Sequence, residues 1–228
     1  MRLLSLFSGG KDSLYAAYLA IKEGHEVVLL LSLESEREDS YMFHVPNISF
    51  TAFQAEAMGI PLIRKKVKGE KEKEVSELEN IIGGLVKNKE IDGIVTGVIE
   101  SNYQRERIQK IADHNGLLHL TPLWKTDSKK YMESLIDEGF KVVIVSTSAL
   151  GLGESYLGKV IDTDILEKLV IQNKKYGVHI AGEGGEYETF VIDAPTFKKK
   201  LIIEKSKKII ENLNGVLLID SIVFENKS

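Results

Sequence analysis

Short apolar runs alternate with amphipathic segments through the first half of the chain. The apolar runs predict strands at residues 3–7, 26–33, 61–67, 91–98 and 117–120. The segments between them space their apolar positions as helices do, which predicts helices at 13–23, 50–58, 68–89 and 102–114. Because strands that alternate with helices form parallel sheets covered on both faces, residues 1–124 are predicted to form a doubly wound α/β domain.

The pattern changes after Trp124. Helices are predicted at 128–138 and 163–174, and strands at 141–146, 189–192, 200–207 and 216–224. Turn residues separate the later strands, which is typical of antiparallel or mixed pairing. Residues 125–228 are therefore predicted to form a second, smaller α+β domain.

A glycine-rich turn follows the first predicted strand directly. Its residues are Ser8, Gly9, Gly10, Lys11, Asp12 and Ser13. The glycines let the backbone approach an anion, the following helix offers backbone N–H groups, and the lysine adds positive charge, so the turn predicts a phosphate site. Ser5 stands where the Walker A motif requires a glycine, so transfer of the γ-phosphate is disfavoured. A plain strand-to-helix turn is the alternative interpretation.

Composition narrows the classes of function. The chain has 228 residues, of which 43% are hydrophobic and 28% charged, so a globular core is expected. The absence of cysteine excludes disulfides, thiolate metal sites and a cysteine nucleophile. A net charge of −4 indicates no broad basic surface for nucleic acid. No apolar run reaches the roughly 20 residues of a membrane span and no signal peptide is recognisable, so a cytoplasmic location is expected.

A second candidate segment runs from Gly97 to Arg107, at a predicted strand end and helix start. Ser101 and Gln104 have the spacing of a capping box, which alone would explain both residues. Tyr103 and Arg107 are four positions apart on one helix face. An aromatic ring and a guanidinium placed together in this way would bound a nucleotide or a carboxylate substrate.

A third candidate segment covers residues 182–190, where three glycines and three glutamates surround Tyr187. The glutamates are Glu183, Glu186 and Glu188. This density of carboxylates on a flexible backbone predicts an acidic pocket for an organic cation or Mg²⁺. An exposed acidic turn is the alternative interpretation.

Four strings of residues carry a resemblance to a known family. The string SGGKDS resembles the signature of the PP-loop, or N-type ATP pyrophosphatase, superfamily, whose members split ATP into AMP and pyrophosphate while adenylating a substrate. Together with YMFHVPN at 41–47, GVIESNYQRER at 97–107 and GEGGEYETFVIDAP at 182–195, it resembles the diphthine–ammonia ligase family over essentially the whole chain. The resemblance implies an adenine nucleotide alpha hydrolase-like fold. It also implies that this chain corresponds only to the ligase part of the fungal and animal members, which are longer.

The resemblance also implies a reaction. ATP, with Mg²⁺, activates the carboxylate of diphthine on the translation elongation factor as an acyl-adenylate. Ammonium supplies the nitrogen of the product diphthamide, and AMP and pyrophosphate are released. The implied partners are thus the elongation factor and ammonium. From the composition no membrane partner is expected and nucleic acid is disfavoured; whether the chain forms a homo-oligomer is left open.

The site residues follow from the motifs and the resemblance together. The predicted nucleotide-binding residues are Ser8, Gly9, Gly10, Lys11, Asp12, Ser13, His44 and Gly97. The predicted substrate-binding residues are Ser101, Tyr103, Gln104, Arg107, Glu183, Gly184, Gly185, Glu186, Tyr187 and Glu188. Lys11 and Asp12 are the predicted catalytic residues, and Asp12 is also the predicted Mg²⁺ ligand. Because diphthine carries a quaternary ammonium, the glutamates with Tyr187 or Tyr103 are expected to receive that cation.

Two other functions stay open from the sequence. One is a PP-loop ligase that modifies tRNA, although sulfur-transferring members rely on cysteines that this chain lacks, and its acidic balance disfavours a tightly held tRNA. The other is a non-catalytic ATP-binding regulatory module, in which the nucleotide only switches a partner.

Overall fold

The computed structural model describes residues 1–35, 47–68, 73–87 and 90–227. By their internal contacts these residues divide into two compact units. The first unit comprises Met1–Ser8, Asp12–Ile48 and Ile60–Trp124, and the second comprises Gly9–Lys11, Ser49–Gly59 and Lys125–Ser228. The assignment of Gly9–Lys11 and Ser49–Gly59 to the second unit was not evident from the sequence pattern.

The first unit contains a five-stranded parallel sheet of order β3-β2-β1-β4-β5. Its strands are β1 (Arg2–Leu6), β2 (Glu26–Ser35), β3 (Leu62–Val67), β4 (Gly93–Val95) and β5 (Leu118–Leu120). Helices of this unit include α1 (Lys11–Lys22), α3 (Lys73–Val86) and α4 (Asn102–His114). The predicted doubly wound parallel sheet is confirmed.

Residues on β2, β4, α3 and α4 supply the apolar core on one face of this sheet. The core includes Leu29, Leu31, Leu78, Ile82, Ile94, Ile108 and Ile111, all almost completely buried. The strand β4 is much shorter than the apolar run at 91–98 predicted. The last hydrogen bond that joins this segment to β5 runs from Thr96 N to Leu120 O at 3.1 Å. The next residue, Gly97, lies against the start of α1.

The second unit contains a four-stranded antiparallel sheet of order β7-β6-β9-β8. Its strands are β6 (Lys141–Thr147), β7 (Tyr187–Asp193), β8 (Lys199–Glu211) and β9 (Asn214–Asn226), and its helices include α2 (Thr51–Met58), α5 (Ser128–Asp137) and α6 (Thr163–Tyr176). Antiparallel pairing was one of the two predicted arrangements. The last two strands are longer than predicted because β8 and β9 form one extended hairpin, with Asn212 in its turn at a φ of 55°.

Among the described helices, none is both long enough and apolar enough to cross a membrane.

Candidate active site

The strand order of the first unit creates a crevice beside β1. The chain winds from β1 to β2 and β3 on one side and to β4 and β5 on the other, so β1 and β4 flank the point where the winding reverses. Ligands of doubly wound sheets bind at this point, beyond the carboxyl ends of the strands. Ser8 follows the end of β1 by two residues, and Gly97 follows the end of β4 by two residues. Two predicted nucleotide-binding residues therefore lie where the topology places a ligand.

Ser8 and Ser13 fix the two ends of the glycine-rich turn to each other. Ser8 N donates to Ser13 Oγ at 3.2 Å, and the two hydroxyl oxygens are 3.1 Å apart. Ser13 lies in the first turn of α1, where Asp12 also places its carboxylate. A negative charge is favourable at this end of a helix, because the backbone N–H groups there carry partial positive charge.

Gly97 lies directly against the start of α1. A methyl group on its Cα would be 2.5 Å from Asp12 O and 2.6 Å from Ser13 N, well inside van der Waals contact. Because both neighbours are backbone atoms, they cannot move aside as a flexible side chain would. Glycine is therefore required here for the close approach of two backbone segments, rather than for an unusual φ angle.

The middle of the turn, Gly9 to Lys11, is held by residues of the second unit. Gly9 has a φ of +80°, in the region that favours glycine. Its carbonyl oxygen accepts from Val191 N at 3.1 Å and from Gln54 Nε2 at 2.8 Å. Gln54 is completely buried, and no motif predicted it as a site residue. The buried face of α2 carries two polar side chains, Thr51 and Gln54, among apolar ones.

Lys11 is 2% exposed. Its Nζ donates to Ala181 O at 2.6 Å and lies 5.3 Å from the centre of the Tyr187 ring. Its backbone N donates to Thr189 Oγ1 at 3.1 Å. The string GEGGEYETF thus contacts Lys11 itself, although the two motifs are far apart in sequence and were predicted to serve different ligands.

The loop before β7 is folded by its own polar groups. Glu186 accepts from His179 N and from Gly184 N, each at 2.9 Å and each through a different carboxylate oxygen. His179 Nδ1 accepts from the backbone N of Ala181 at 3.2 Å and of Glu183 at 3.3 Å. Tyr187 is 2% exposed, and its hydroxyl donates to Ile180 O at 2.7 Å. These bonds give Glu186 and Tyr187 a role in shaping the loop that the sequence did not predict.

The segment at the start of α4 contains a helix cap at Ser101 and a contact between Tyr103 and Arg107. Ser101 is the N-cap of α4, and its hydroxyl accepts from Gln104 N at 3.3 Å. The guanidinium carbon of Arg107 lies 3.3 Å from the centre of the Tyr103 ring. The predicted shared face of Tyr103 and Arg107 is confirmed, and the cation covers one side of the ring.

A polar cluster at the carboxyl ends of β4 and β5 was missed by the sequence analysis. Thr96 Oγ1 and His119 Nε2 are 2.9 Å apart, and the guanidinium of Arg105 lies 4.6 Å from the centre of the Trp124 ring. Burial, and secondarily the positive charge of Arg105, lower the pKa of His119 from the ordinary 6.5 to about 4, against a smaller opposing effect of Asp113. The imidazole is therefore neutral at physiological pH.

The acidic residues of the described ranges do not converge into a metal cage. Within the four described ranges of the chain, no three His, Cys, Asp or Glu side chains come together so as to hold a metal ion. Magnesium in nucleotide sites is held by one or two carboxylates together with phosphate oxygens and water. Asp12 fits that arrangement, in which the nucleotide brings most of the ligands. His44, the remaining predicted nucleotide-binding residue, lies outside the described residues.

Comparison with known proteins places this chain in a family. Residues 1–119 match the family model described as the diphthamide synthase N-terminal domain, and residues 127–224 match the diphthamide synthase C-terminal domain. The chain belongs to the diphthamide synthase family, which confirms the predicted resemblance.

Its relatives carry the name of a particular ligase. The chain is 35% identical to the diphthine–ammonia ligase of Mus musculus over 234 residues, which cover 94% of this chain and 87% of that protein. The human protein of the same name is 35% identical over 235 residues, with the same coverage. The Schizosaccharomyces pombe protein of that name is 33% identical, but the match covers only 38% of its length. The expectation of much longer relatives therefore applies to the fungal protein and not to the mouse and human proteins.

One solved structure is also similar. It is the crystal structure of a predicted subunit of tRNA methyltransferase from Methanocaldococcus jannaschii, with a TM-score of 0.47 and 17% identity, covering 86% of this chain and 98% of that chain. A likeness at that level carries no functional argument.

Proposed function

We propose that this protein is an ATP-dependent diphthine–ammonia ligase. The observation that carries the proposal is the match of both halves of the chain to the diphthamide synthase domains, with similarity to named ligases over 94% of its length. The position of the glycine-rich turn at the crevice of a doubly wound sheet supports ATP as the nucleotide. Residues 1–124 are proposed to carry the nucleotide-binding function and residues 125–228 the substrate-binding function.

The proposed reaction has two steps. A carboxylate oxygen of diphthine attacks the α-phosphorus of ATP, the bond from that phosphorus to the bridging oxygen breaks, and pyrophosphate leaves. The nitrogen lone pair of ammonia then attacks the acyl carbon, the bond to AMP breaks, and the nitrogen loses a proton to give the amide. Activation is needed because oxide is a far worse leaving group than AMP.

The turn residues supply the groups that this chemistry needs. Ser8, Ser13 and the backbone of Gly9 and Gly10 bind the phosphates at the start of α1. Lys11 exchanges its bond to Ala181 O for one to a phosphate oxygen, where its charge stabilises the departing pyrophosphate. Mg²⁺, when bound, neutralises phosphate charge, and Asp12 is the side chain that would help to hold it.

Substrate contacts are proposed separately for two segments, Ser101–Arg107 of the first unit and Glu183–Glu188 of the second. The quaternary ammonium of diphthine requires anionic or aromatic groups. The glutamates of the segment, Glu183, Glu186 and Glu188, are proposed to supply that anionic contact, and Glu186 also shapes the loop by accepting two backbone N–H groups. In the first unit, Tyr103 stacks with Arg107 and is a separate candidate for an aromatic contact with the substrate.

A product analysis tests the proposal. Purified protein would be incubated with Mg-ATP, ammonium and elongation factor bearing diphthine, and the nucleotides separated by chromatography. AMP and pyrophosphate should form in equal amounts, only when all three substrates are present, with diphthamide appearing on the elongation factor. ADP and orthophosphate would contradict the proposed cleavage. Turnover with tRNA instead would support a tRNA-modifying ligase, and ATP binding without turnover would support a regulatory module.

A further inference from the structure

The outer edge of β7 is covered by the glycine-rich turn. This strand is the terminal strand of its sheet, so one row of its backbone N–H and C=O groups faces away from β6. At Val191 the N–H of that row donates to Gly9 O at 3.1 Å, and the C=O accepts from Gln54 Nε2 at 2.8 Å. Gly9 and Gln54 therefore satisfy both outward groups of Val191.

A single amide of Gln54 ties these elements together. Its Nε2 has two N–H donors, and they go to Gly9 O and to Val191 O, both at 2.8 Å. The carbonyl and the N–H on either side of a trans peptide bond point in opposite directions. Holding Gly9 O toward Gln54 and Val191 therefore directs the N–H of Gly10 to the opposite side of the turn.

Thr189 fixes the next peptide from the same strand. Its Oγ1 accepts from Lys11 N at 3.1 Å, and its side chain is 4% exposed. Tyr187 and Thr189 are two positions apart and therefore lie on the same face of β7. Thr189 on this face accepts from the backbone N of Lys11, and the Tyr187 ring faces the ammonium of Lys11. Two consecutive peptides of the turn are thus held by side chains that no sequence motif assigns to the nucleotide.

Such anchors matter because glycine peptides reorient easily. A flipped peptide between Gly9 and Gly10 would present a carbonyl oxygen, rather than an N–H group, to an approaching phosphate. The barrier to that flip is low when both flanking residues lack a Cβ atom. Bonds from buried partners select one orientation before the nucleotide arrives, which reduces the ordering cost of binding.

We propose that Gln54 and Thr189 are positioning residues for the nucleotide: Gln54 holds the Gly9–Gly10 peptide so that Gly10 N–H turns away from β7 toward the phosphate, and Thr189 fixes the adjoining Gly10–Lys11 peptide at the start of α1. The inference rests on the proposed function, because it assumes that the turn binds ATP. It predicts that the two side chains affect ATP affinity without touching the nucleotide or the protein substrate.

Titration calorimetry with Mg-ATP on the full chain tests this inference. Gln54→Met and Thr189→Val remove the polar groups with little change in volume, and Thr189→Ser restores the hydroxyl. The Kd for Mg-ATP should rise about tenfold in Gln54→Met and Thr189→Val, the loss expected from one or two hydrogen bonds, and return close to the original value in Thr189→Ser. In steady-state assays the KM for ATP should rise while the KM for the elongation factor stays constant.

Matched controls separate positioning from stability. Gln172 and Thr196 also belong to the second unit and have buried side-chain oxygens without a hydrogen-bond partner among the described residues. Gln172→Met and Thr196→Val should leave the Kd for Mg-ATP unchanged. If Gln54→Met does not fold, the Kd values of Thr189→Val and Thr189→Ser for Mg-ATP are compared instead, and equal values would overturn the inference.

The outcomes distinguish this inference from the proposed function. If the substitutions at Gln54 and Thr189 lower the melting temperature but leave the Kd for Mg-ATP unchanged, the inference is overturned and the proposed function stands. If the unaltered chain does not bind Mg-ATP, the proposed function fails and the inference fails with it.

Discussion

Gly9 and Gly10 lie in a turn whose polar groups bond to other elements, whereas Gly182, Gly184 and Gly185 lie in a loop whose polar groups bond largely to each other. In the turn, Gly9 O is held by α2 and β7. In the loop, Gly182 N donates to His179 O at 2.9 Å and Gly185 N donates to Gly182 O at 3.1 Å. The turn is buried at Gly9, while Gly184 and Gly185 are exposed.

This difference shows that glycine and charge density alone do not reveal what a segment does. The conformation of the turn is imposed from outside, so its backbone can be rigid at the place where a ligand is to bind. In the loop, Glu186 and His179 accept hydrogen bonds from backbone N–H groups of the loop itself, and Ala181 O accepts from Lys11 Nζ. The following substitutions test this contrast, beginning with the turn.

The largest effect is expected for Lys11→Ala and Asp12→Ala. Both side chains are proposed to act on charge that develops at the phosphates, so turnover should fall at least about a hundredfold in each variant. Pyrophosphate release measures the rate, and circular dichroism checks the fold. Lys175→Ala, which removes a lysine that lies over the Tyr176 ring away from the proposed site, is the matched control. Near-normal rates in both variants would refute the assigned roles.

A smaller effect is expected for Gly97→Ala. The added methyl group would press on the backbone of Asp12 and Ser13, so the start of α1 must shift, at a cost of about 1–3 kcal/mol in unfolding free energy. ATP affinity should fall together with stability, as measured by urea unfolding and calorimetry. The control is Gly84→Ala in α3, where a methyl group meets no atom within 4 Å and where alanine favours the helix. Equal stability of the two variants would contradict the close approach at Gly97.

The loop is tested by replacing each glutamate with glutamine. Glu186→Gln keeps one acceptor oxygen but points an NH₂ group at either His179 N or Gly184 N, so it should destabilise the loop by about 1–3 kcal/mol. If the loop receives the cationic substrate, at least one of Glu183→Gln and Glu188→Gln should raise the KM for the elongation factor. Thermal unfolding and amidation kinetics separate the two effects. If all three variants amidate normally, the loop does not receive the substrate.

The effect that is smallest at neutral pH, and grows only as the pH is lowered, concerns His119. The pKa of His119 is lowered to about 4 in the folded chain by burial and by Arg105, whereas the unfolded chain titrates near the ordinary 6.5. Between these values the unfolded state binds more protons, so stability should fall as pH is lowered from about 6.5 to about 4. His119→Gln removes this proton uptake and should flatten the dependence in that range. If the urea midpoints of the two chains fall by the same amount from pH 7 to pH 4, His119 does not contribute to the pH dependence of stability.

The architecture and the family were accessible from the sequence because both depend on local signals. The alternation of apolar runs with helical segments predicted the parallel sheet, and the four motif strings indicated the diphthamide synthase family. The ends of β4 were not predictable, since the residues after Val95 stay apolar while the backbone leaves the sheet to approach α1. Gln54 and Thr189 could not be identified because their importance lies in contacts with Gly9 and Lys11 that no local pattern records.

The hydrogen bond between Lys11 and Thr189 spans 178 positions of the chain. On the ribosome, the glycine-rich turn therefore emerges long before its partners, while all strands of the parallel sheet precede residue 121 and can pair early. The turn acquires its bonds to Thr189 and Val191 only when β7 has been synthesised. ATP binding is thus expected to arise near the end of translation, and a chain interrupted before β7 would fold its first sheet without forming a competent nucleotide site.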